Sequence, residues 1–447
     1  MTSVIAFYHG SNEIMNSKQN KIMKKRRMHP ESLMMSHGYH PEWSEGAIKC
    51  PIFQTSTFVF NTAEEGKRFF ELAYGLKEKK PKEQAGLIYS RLNNPDLEIL
   101  ENRLTLWDNA EDCAVFESGM SAISSTMMEF LRPGDLLLFS EPVYGGTDHF
   151  IRHILTRYGV KIAEFNARTS GPELIDIIEK NEGRPAMIYI ETPSNPTNEV
   201  IDIELCAEIA KRFSSDEHKV IVAVDNTYMG PLWSHPIDHG ADLVLYSATK
   251  YIGGHSDVIA GACLGSKEFI SRIKAFRTFV GNMAGPWTGW LLMRSLETLK
   301  VRMEQQAENA DFLAHRLIEH SAVEKVHYLG LLDENDPQYD IYKKQYSSPG
   351  AMLSLIIAGG EKEAFKFLNN LHLVKLAVSL GSTESLAQHP FSMTHADVDS
   401  EEKYSLGVTP QLVRLSVGIE NKLDLWDDIK QALDCVATDH PKEELVF

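Results

Sequence analysis

"ADLVLYSATKYIGGHSDVIAGACLG", Ala241 to Gly265, decides how this chain is read. Leu243-Val244-Leu245-Tyr246 is a short apolar run, which predicts a buried strand. It leads into Ser247, Thr249 and Lys250, and Gly253-Gly254 follows. An unpaired ammonium is costly to bury. A lysine flanked by hydroxyls at the end of a core strand therefore needs a reason, and one reason is that its nitrogen is bonded to something else when the protein works.

Outward from this stretch the same pattern repeats. "LLLFS" (136–140), "VKIAEF" (160–165), "AMIYIE" (186–191) and "VIVAVDN" (220–226) are further apolar strands, separated by amphipathic stretches such as "IELCAEIAKRF" (203–213). Continuous apolar strands alternating with helices predict an α/β fold with a mostly parallel central sheet covered on both faces. Ligands on such sheets bind at the carboxyl ends of the strands. Asn94-Pro95 predicts a helix start, with Asn as N-cap, Pro in the first turn, and Leu97, Leu100, Leu104 and Trp107 on one face. A second helix is expected after "ESGM", with Ile123, Met127 and Leu131 buried and Gly134 ending it. Trp290 to His320 reads as one long helical stretch; "AMLSLIIAG", "LVKLAVSLG" and a helix after Asn421 complete a smaller α+β C-terminal domain. The expected division is 1–88 as arm and extended segment, 89–298 as ligand-binding domain and 299–447 as C-terminal domain. "YGLKEKKPKEQAG" (74–86) should be an exposed loop.

Composition narrows the class. A chain of 447 residues with 43% apolar and 24% charged residues can bury a large core. A net charge of -17 argues against a nucleic-acid partner, and the basic "KIMKKRR" (Lys21–Arg27) reads as a solvated arm. No apolar run approaches the roughly 20 residues of a membrane helix, and no signal peptide is apparent. Five cysteines without a CxxC pair argue against a disulfide framework or a metal site, which favours a reducing, cytoplasmic setting.

Polar residues gather where such a sheet would put its ligand. Asp225 ends one strand and Lys250 follows the next; Tyr144 follows "LLLFSEPV", and Ser118-Gly119-Met120 opens a helix. Taken singly these are caps, turns and surface groups. Together they match the needs of pyridoxal phosphate. Its aldehyde requires an amine for a Schiff base, which Lys250 supplies. Its ring nitrogen needs a carboxylate, for which Asp225 fits, and its ring an aromatic to stack on, for which Tyr144 fits. Its phosphate calls for helix-start N–H groups and hydroxyls, here Gly119, Met120, Ser247 and Thr249.

These motifs, with "YSRLNNPDLEILENRL", "ETPSNPT" and "SLGSTESLAQHPFSMTH…LVRLSVGIE", occur in one order from Tyr89 to Glu420. In that order the chain resembles the transsulfuration family, the pyridoxal-phosphate enzymes of cysteine and methionine metabolism. The resemblance implies an aspartate-aminotransferase-like architecture, fold type I. It implies that Tyr89 and Arg91 reach the phosphate of a neighbouring subunit, within a homotetramer built from active-site-sharing dimers. It places Asn195 near the ring's phenolic oxygen, Arg414 on the substrate carboxylate, and Ser379 and Val378 beside it. Lys250 and Tyr144 become the catalytic candidates, and the substrate a small amino acid.

Family chemistry starts with removal of the Cα proton and diverges later. Val378 offers no charge to a distal substrate group, and Leu380 stands where the bacterial β-lyase pattern has Trp. The expectation is a carbon–sulfur lyase working by γ-elimination on methionine or a similar γ-substituted amino acid, giving 2-oxobutanoate and ammonia. Gly146, where the methionine-specific pattern carries cysteine, keeps two alternatives open: cystathionine γ-synthase and cystathionine γ-lyase activity. A non-catalytic scaffold would not require Lys250, Asp225 and Arg414 together.

Overall fold

A computed structural model describes residues 28–437, apart from 79, 81–85 and 397. The basic cluster at 21–27 and much of the charged loop lie outside the described residues.

A seven-stranded sheet carries the first half of the fold. Its strands are β1 (Asp112–Phe116), β2 (Asp135–Glu141), β3 (Lys161–Asn166), β4 (Arg184–Glu191), β5 (Ile221–Asp225), β6 (Leu243–Ser247) and β7 (Gly261–Gly265), in the order β1-β7-β6-β5-β4-β2-β3. The five strands expected from sequence form the parallel part. The sequence reading missed β1 and β7. β7 runs antiparallel between β1 and β6, and its ends are glycines because the backbone is crowded there. A Cβ on Gly261 would overlap the Ser118 carbonyl, and one on Gly265 would stand 2.6 Å from the Asp242 carbonyl.

The alternation of side chains along β2 explains both covered faces. Leu137 and Phe139 pack on one side with the helices Gly119–Phe130 (α2) and Gly145–His153 (α3). Leu136 and Leu138 pack on the other with the helices that bear Leu174, Ile178, Ile203 and Ile209. Such doubly buried strands show no polar alternation, which is why they read as continuous apolar runs.

The helix Pro95–Asp108 (α1) starts as expected, with the Asn94 side chain accepting from Asp96 N. Its Leu97, Leu100, Leu104 and Trp107 are buried. α2 stops at Phe130 rather than continuing to Gly134, which instead makes a turn before β2 at φ +89°. The stretch read as one helix over 290–320 is two, Pro286–Leu296 and Leu299–Leu317. Arg302 explains the join, because its Nη2 donates to Ser295 O and its Nε to Thr298 Oγ1.

A second, five-stranded sheet follows: β8 (Val323–His327), β9 (Met352–Ile357), β10 (Lys375–Leu376), β11 (Leu386–Gln388) and β12 (Leu412–Ser416), ordered β10-β11-β12-β9-β8. The expected strand over 373–381 shrinks to the two residues of β10. The rest departs from a ladder because Ser379 takes φ +97°. The helix Lys422–Ala437 closes the described chain.

Candidate active site

The carboxyl ends of β4, β5 and β6 meet the loop that follows β10. Lys250 sits in the turn after β6, with its N–H on Ser247 O and its own carbonyl accepting from Gly254 N. Gly254 adopts φ +66°, and a Cβ there would collide with the Arg302 guanidinium, whose Nη1 donates to Tyr251 O at 3.0 Å. The lysine turn is thus clamped from the C-terminal half of the chain. Lys250 Nζ donates to Ser379 Oγ at 2.9 Å, and burial, together with the nearby positive charge of Arg414, pushes its pKa down to about 8.

Ser379 is held in an unfavourable backbone conformation for a residue with a Cβ. That geometry lets one residue face two groups: its hydroxyl meets Lys250, and its carbonyl accepts from Arg414 Nη2 at 2.6 Å. Arg414 Nη1 donates to Asn195 Oδ1 at 3.0 Å. With its amide oxygen turned toward the guanidinium, Gln388, the register partner of Arg414, accepts at 3.0 and 3.2 Å. Asn195 thereby stands on the arginine, and Val378, 56% exposed, adjoins it through Ser379.

Asp225 ends β5 and is 5% exposed. Its Oδ1 accepts from Thr227 N at 3.0 Å and its Oδ2 from the Tyr189 hydroxyl at 3.3 Å. Burial raises its pKa against the opposing pull of these bonds. Thr227 Oγ1 also accepts from Ser247 N at 2.7 Å, which ties the ends of β5 and β6 together.

At the head of α2 the backbone of Gly119 lies against Ser247. A Cβ at Gly119 would fall 2.8 Å from Ser247 Cβ and 3.0 Å from its Cα. The unsatisfied N–H groups of a helix start thus adjoin the Ser247 hydroxyl, with Met120 next in line. Thr249 is engaged elsewhere: its hydroxyl donates to Ala260 O at 3.2 Å and accepts from Ala260 N at 3.1 Å. Tyr144 is the N-cap of α3 and 51% exposed, and its N–H donates to Glu191 Oε2 at 2.6 Å.

Tyr89 and Arg91 are not drawn into this group. Arg91 Nη1 donates to Thr278 O at 2.7 Å, and Tyr89 pairs with Thr57. Sequence reasoning missed Tyr189, Thr227 and Gln388. Tyr189 lies two residues before Glu191, so it shares that residue's side of the strand, which was a usable signal. Gln388 had none, because its pairing with Arg414 is a matter of sheet register.

Three charged groups here lack counter-charges, Asp225 and Arg414 buried and Lys250 partly so. Among the described residues no ion pair includes Lys250, Asp225 or Arg414, and their hydrogen-bond partners are neutral. Buried charges are ordinarily paired. A ligand with a protonated ring nitrogen for Asp225, a carbonyl carbon for Lys250 and an anionic group at the head of α2 meets these demands, and pyridoxal phosphate has all three. The residues fit that cofactor.

Residues 31–434 match the family described as Cys/Met metabolism PLP-dependent enzyme. The chain belongs to that family. It is therefore a pyridoxal-phosphate enzyme of fold type I. An L-methionine gamma-lyase of Porphyromonas gingivalis is 40% identical over 91% of this chain and 99% of its own length. A cystathionine gamma-lyase of Bacillus subtilis is 38% identical over 91% of this chain and 100% of its own. A cystathionine gamma synthase of Xanthomonas oryzae, solved with aminoacrylate and cysteine, superposes with TM-score 0.82 at 30% identity, covering 92% of this chain and 100% of the other.

No described helix is long and apolar enough to cross a membrane, and no described group of His, Cys, Asp and Glu could hold a metal ion. Cys50, Cys113, Cys206 and Cys263 are buried thiols outside any disulfide.

Proposed function

We propose that this enzyme is a carbon–sulfur lyase that performs γ-elimination on methionine or a similar γ-substituted amino acid, which with water gives the released thiol, 2-oxobutanoate and ammonia. The observation that carries the reading is that neither Arg414 nor Lys250 has a protein counter-charge among the described residues: a guanidinium with no protein carboxylate on it awaits the substrate's own, and an amine with pKa about 8 is a base near neutral pH. Methionine-lyase relatives at about 40% identity support the choice of substrate.

When bound, pyridoxal phosphate supplies an electron sink for charge developing at the substrate Cα. The residues of this chain do the rest. Arg414 fixes the substrate carboxylate, and Asn195, Gln388 and Ser379 O fix Arg414. Lys250 Nζ takes the Cα proton, oriented by the Ser379 hydroxyl, and a second proton leaves Cβ before the Cγ–S bond breaks. Asp225 balances the ring-nitrogen charge. Gly119, Met120 and Ser247 would hold the phosphate; Thr249 supports that loop through Ala260. Tyr144 would face the ring and would give a proton to the departing sulfur. Val378, uncharged, borders the space for the side chain.

Tyr89 and Arg91, whose described contacts in one chain are with Thr57 and Thr278, serve the phosphate of a second copy, so the working unit is an active-site-sharing dimer, paired into a homotetramer. The three-part division at 88/89 and 298/299 and a cytoplasmic location complete the proposal. The latter draws on the four buried thiols Cys50, Cys113, Cys206 and Cys263.

Release of 2-oxobutanoate from methionine, homocysteine, cystathionine and O-acylhomoserines, with and without cysteine, tests this reading. γ-Elimination predicts release from methionine without added thiol. Cystathionine formed from an O-acylhomoserine and cysteine, with no release in the absence of thiol, replaces it with the synthase reading, which the Xanthomonas structure favours.

A further inference from the structure

Glu191 is a buried carboxyl to which the mechanism above gives no task. It ends β4 directly beside Asp225, its register partner at the end of β5, and only 6% of it is exposed. Its backbone N–H is anchored on Ser140 Oγ at 2.9 Å, so its main chain has little freedom. Its Oε2 accepts from Tyr144 N at 2.6 Å. Two carboxyls at neighbouring strand ends in a buried setting are costly if both ionise, and a carboxyl is an odd choice where any acceptor would serve a backbone N–H.

The Tyr144 ring is confined on its other flank. A Cβ at Gly146 would lie 2.7 Å from Tyr144 Cε1 and 3.2 Å from Met120 Sδ, so ring, glycine and Met120 pack in one stack. Met120 is held in turn by Thr147 Oγ1. Two of the described contacts bear on the ring's place: the glycine on its flank and the carboxyl on its own backbone nitrogen. The second ties the Tyr144 backbone directly to β4, the neighbour of the strand that ends in Asp225.

We infer that Glu191 is a positioning residue, which through the Tyr144 N–H holds the Tyr144 ring against the cofactor and fixes its distance from the strand end that bears Asp225. This rests on the pyridoxal-phosphate reading of Tyr144 and Asp225. With Asp225 carrying the negative charge toward the ring nitrogen, Glu191 acts as a neutral acceptor. An amide oxygen at the same reach therefore serves as well, whereas a side chain one methylene shorter does not.

The test uses the full-length protein freed of cofactor and titrated with pyridoxal phosphate, read by protein fluorescence and by visible circular dichroism of the bound cofactor. Glu191→Gln should bind within about two-fold of the parent and keep its dichroism. Glu191→Ala and Glu191→Asp should bind about ten-fold more weakly, the order of one lost hydrogen bond to a buried group, with altered dichroism. In a Tyr144→Ala background the same Glu191 substitutions should change affinity by less than about two-fold, because the effect passes through the ring. Glu191→Gln as weak as Glu191→Ala overturns the inference, as does a full-sized loss in the Tyr144→Ala background. Should Glu191→Ala not fold, Glu191→Asp and Glu191→Gln decide the matter alone. A parent protein that binds no pyridoxal phosphate overturns the functional reading instead.

Discussion

The pKa of Lys250 makes the sharpest prediction. Burial and the Arg414 charge lower it from 10.5 to about 8. At pH 7 about a tenth of the amine is then neutral, roughly 300-fold more than for an unperturbed lysine. Capture of pyridoxal phosphate by cofactor-free protein needs that neutral amine, so its rate should climb about ten-fold per pH unit below pH 8 and level off above. The smaller cause is removable: Arg414→Met should move the inflection upward while leaving it below 10.5, since burial remains. Stopped-flow absorbance from pH 6 to 10 measures both, with Lys250→Ala as the blank. A parental inflection at or above 10, or one that Arg414→Met leaves in place, refutes the reasoning. Stability should follow with a definite sign. Between about pH 8 and 10.5 the unfolded chain binds more protons at this lysine than the folded one, so the cofactor-free protein gains stability as pH rises through that window. The full difference is on the order of 3 kcal/mol, present as a cost below pH 8.

Asp225→Ala should slow Cα-proton exchange on a bound amino acid by about 10- to 100-fold, the worth of a charge-assisted bond, with a smaller loss of cofactor affinity; near-normal exchange by NMR would point to another partner for the ring nitrogen. Gly119→Ala should lower Tm and weaken cofactor binding together, since its Cβ meets Ser247 backbone at 3.0 Å and such overpacking costs about 1–3 kcal/mol. Coexpressed Arg91→Ala and Lys250→Ala chains should recover about a quarter of parental activity, as half the random dimers hold one intact site; verified hybrids without activity refute site sharing. Val378→Glu should raise kcat/KM for cystathionine relative to methionine only about two- to five-fold, because a pair at so exposed a position contributes at most about 1 kcal/mol.

The legibility of the chain followed burial and distance. The five parallel strands were readable because strands buried on both faces must be apolar throughout. β1 and β7 were not, because "DCAVF" and "GACLG" are short and rich in small residues, and their antiparallel pairing is set by close backbone approach at Gly261 and Gly265. The helix over 290–320 was misjudged because helical periodicity continues across the join that Arg302 makes through Ser295 and Thr298.

The sequence by itself determined the candidate residues for the cofactor. Lys250, Asp225, Tyr144 and the Gly119 helix start each follow an element whose end is marked locally, by apolar runs, caps and glycines. Only the tertiary structure decided what surrounds them. The Ser379 hydroxyl on Lys250 spans 129 residues of sequence, and Asn195 on Arg414 spans 219. Contacts of that kind depend on sheet order and register and on the backbone turn at Ser379, none of which leaves a periodic or local trace. The same holds for Glu191, whose place beside Asp225 follows from the pairing of β4 with β5, and for the neutral surround that leaves Lys250 and Arg414 free to act: an absent counter-charge is a property of the packed molecule alone.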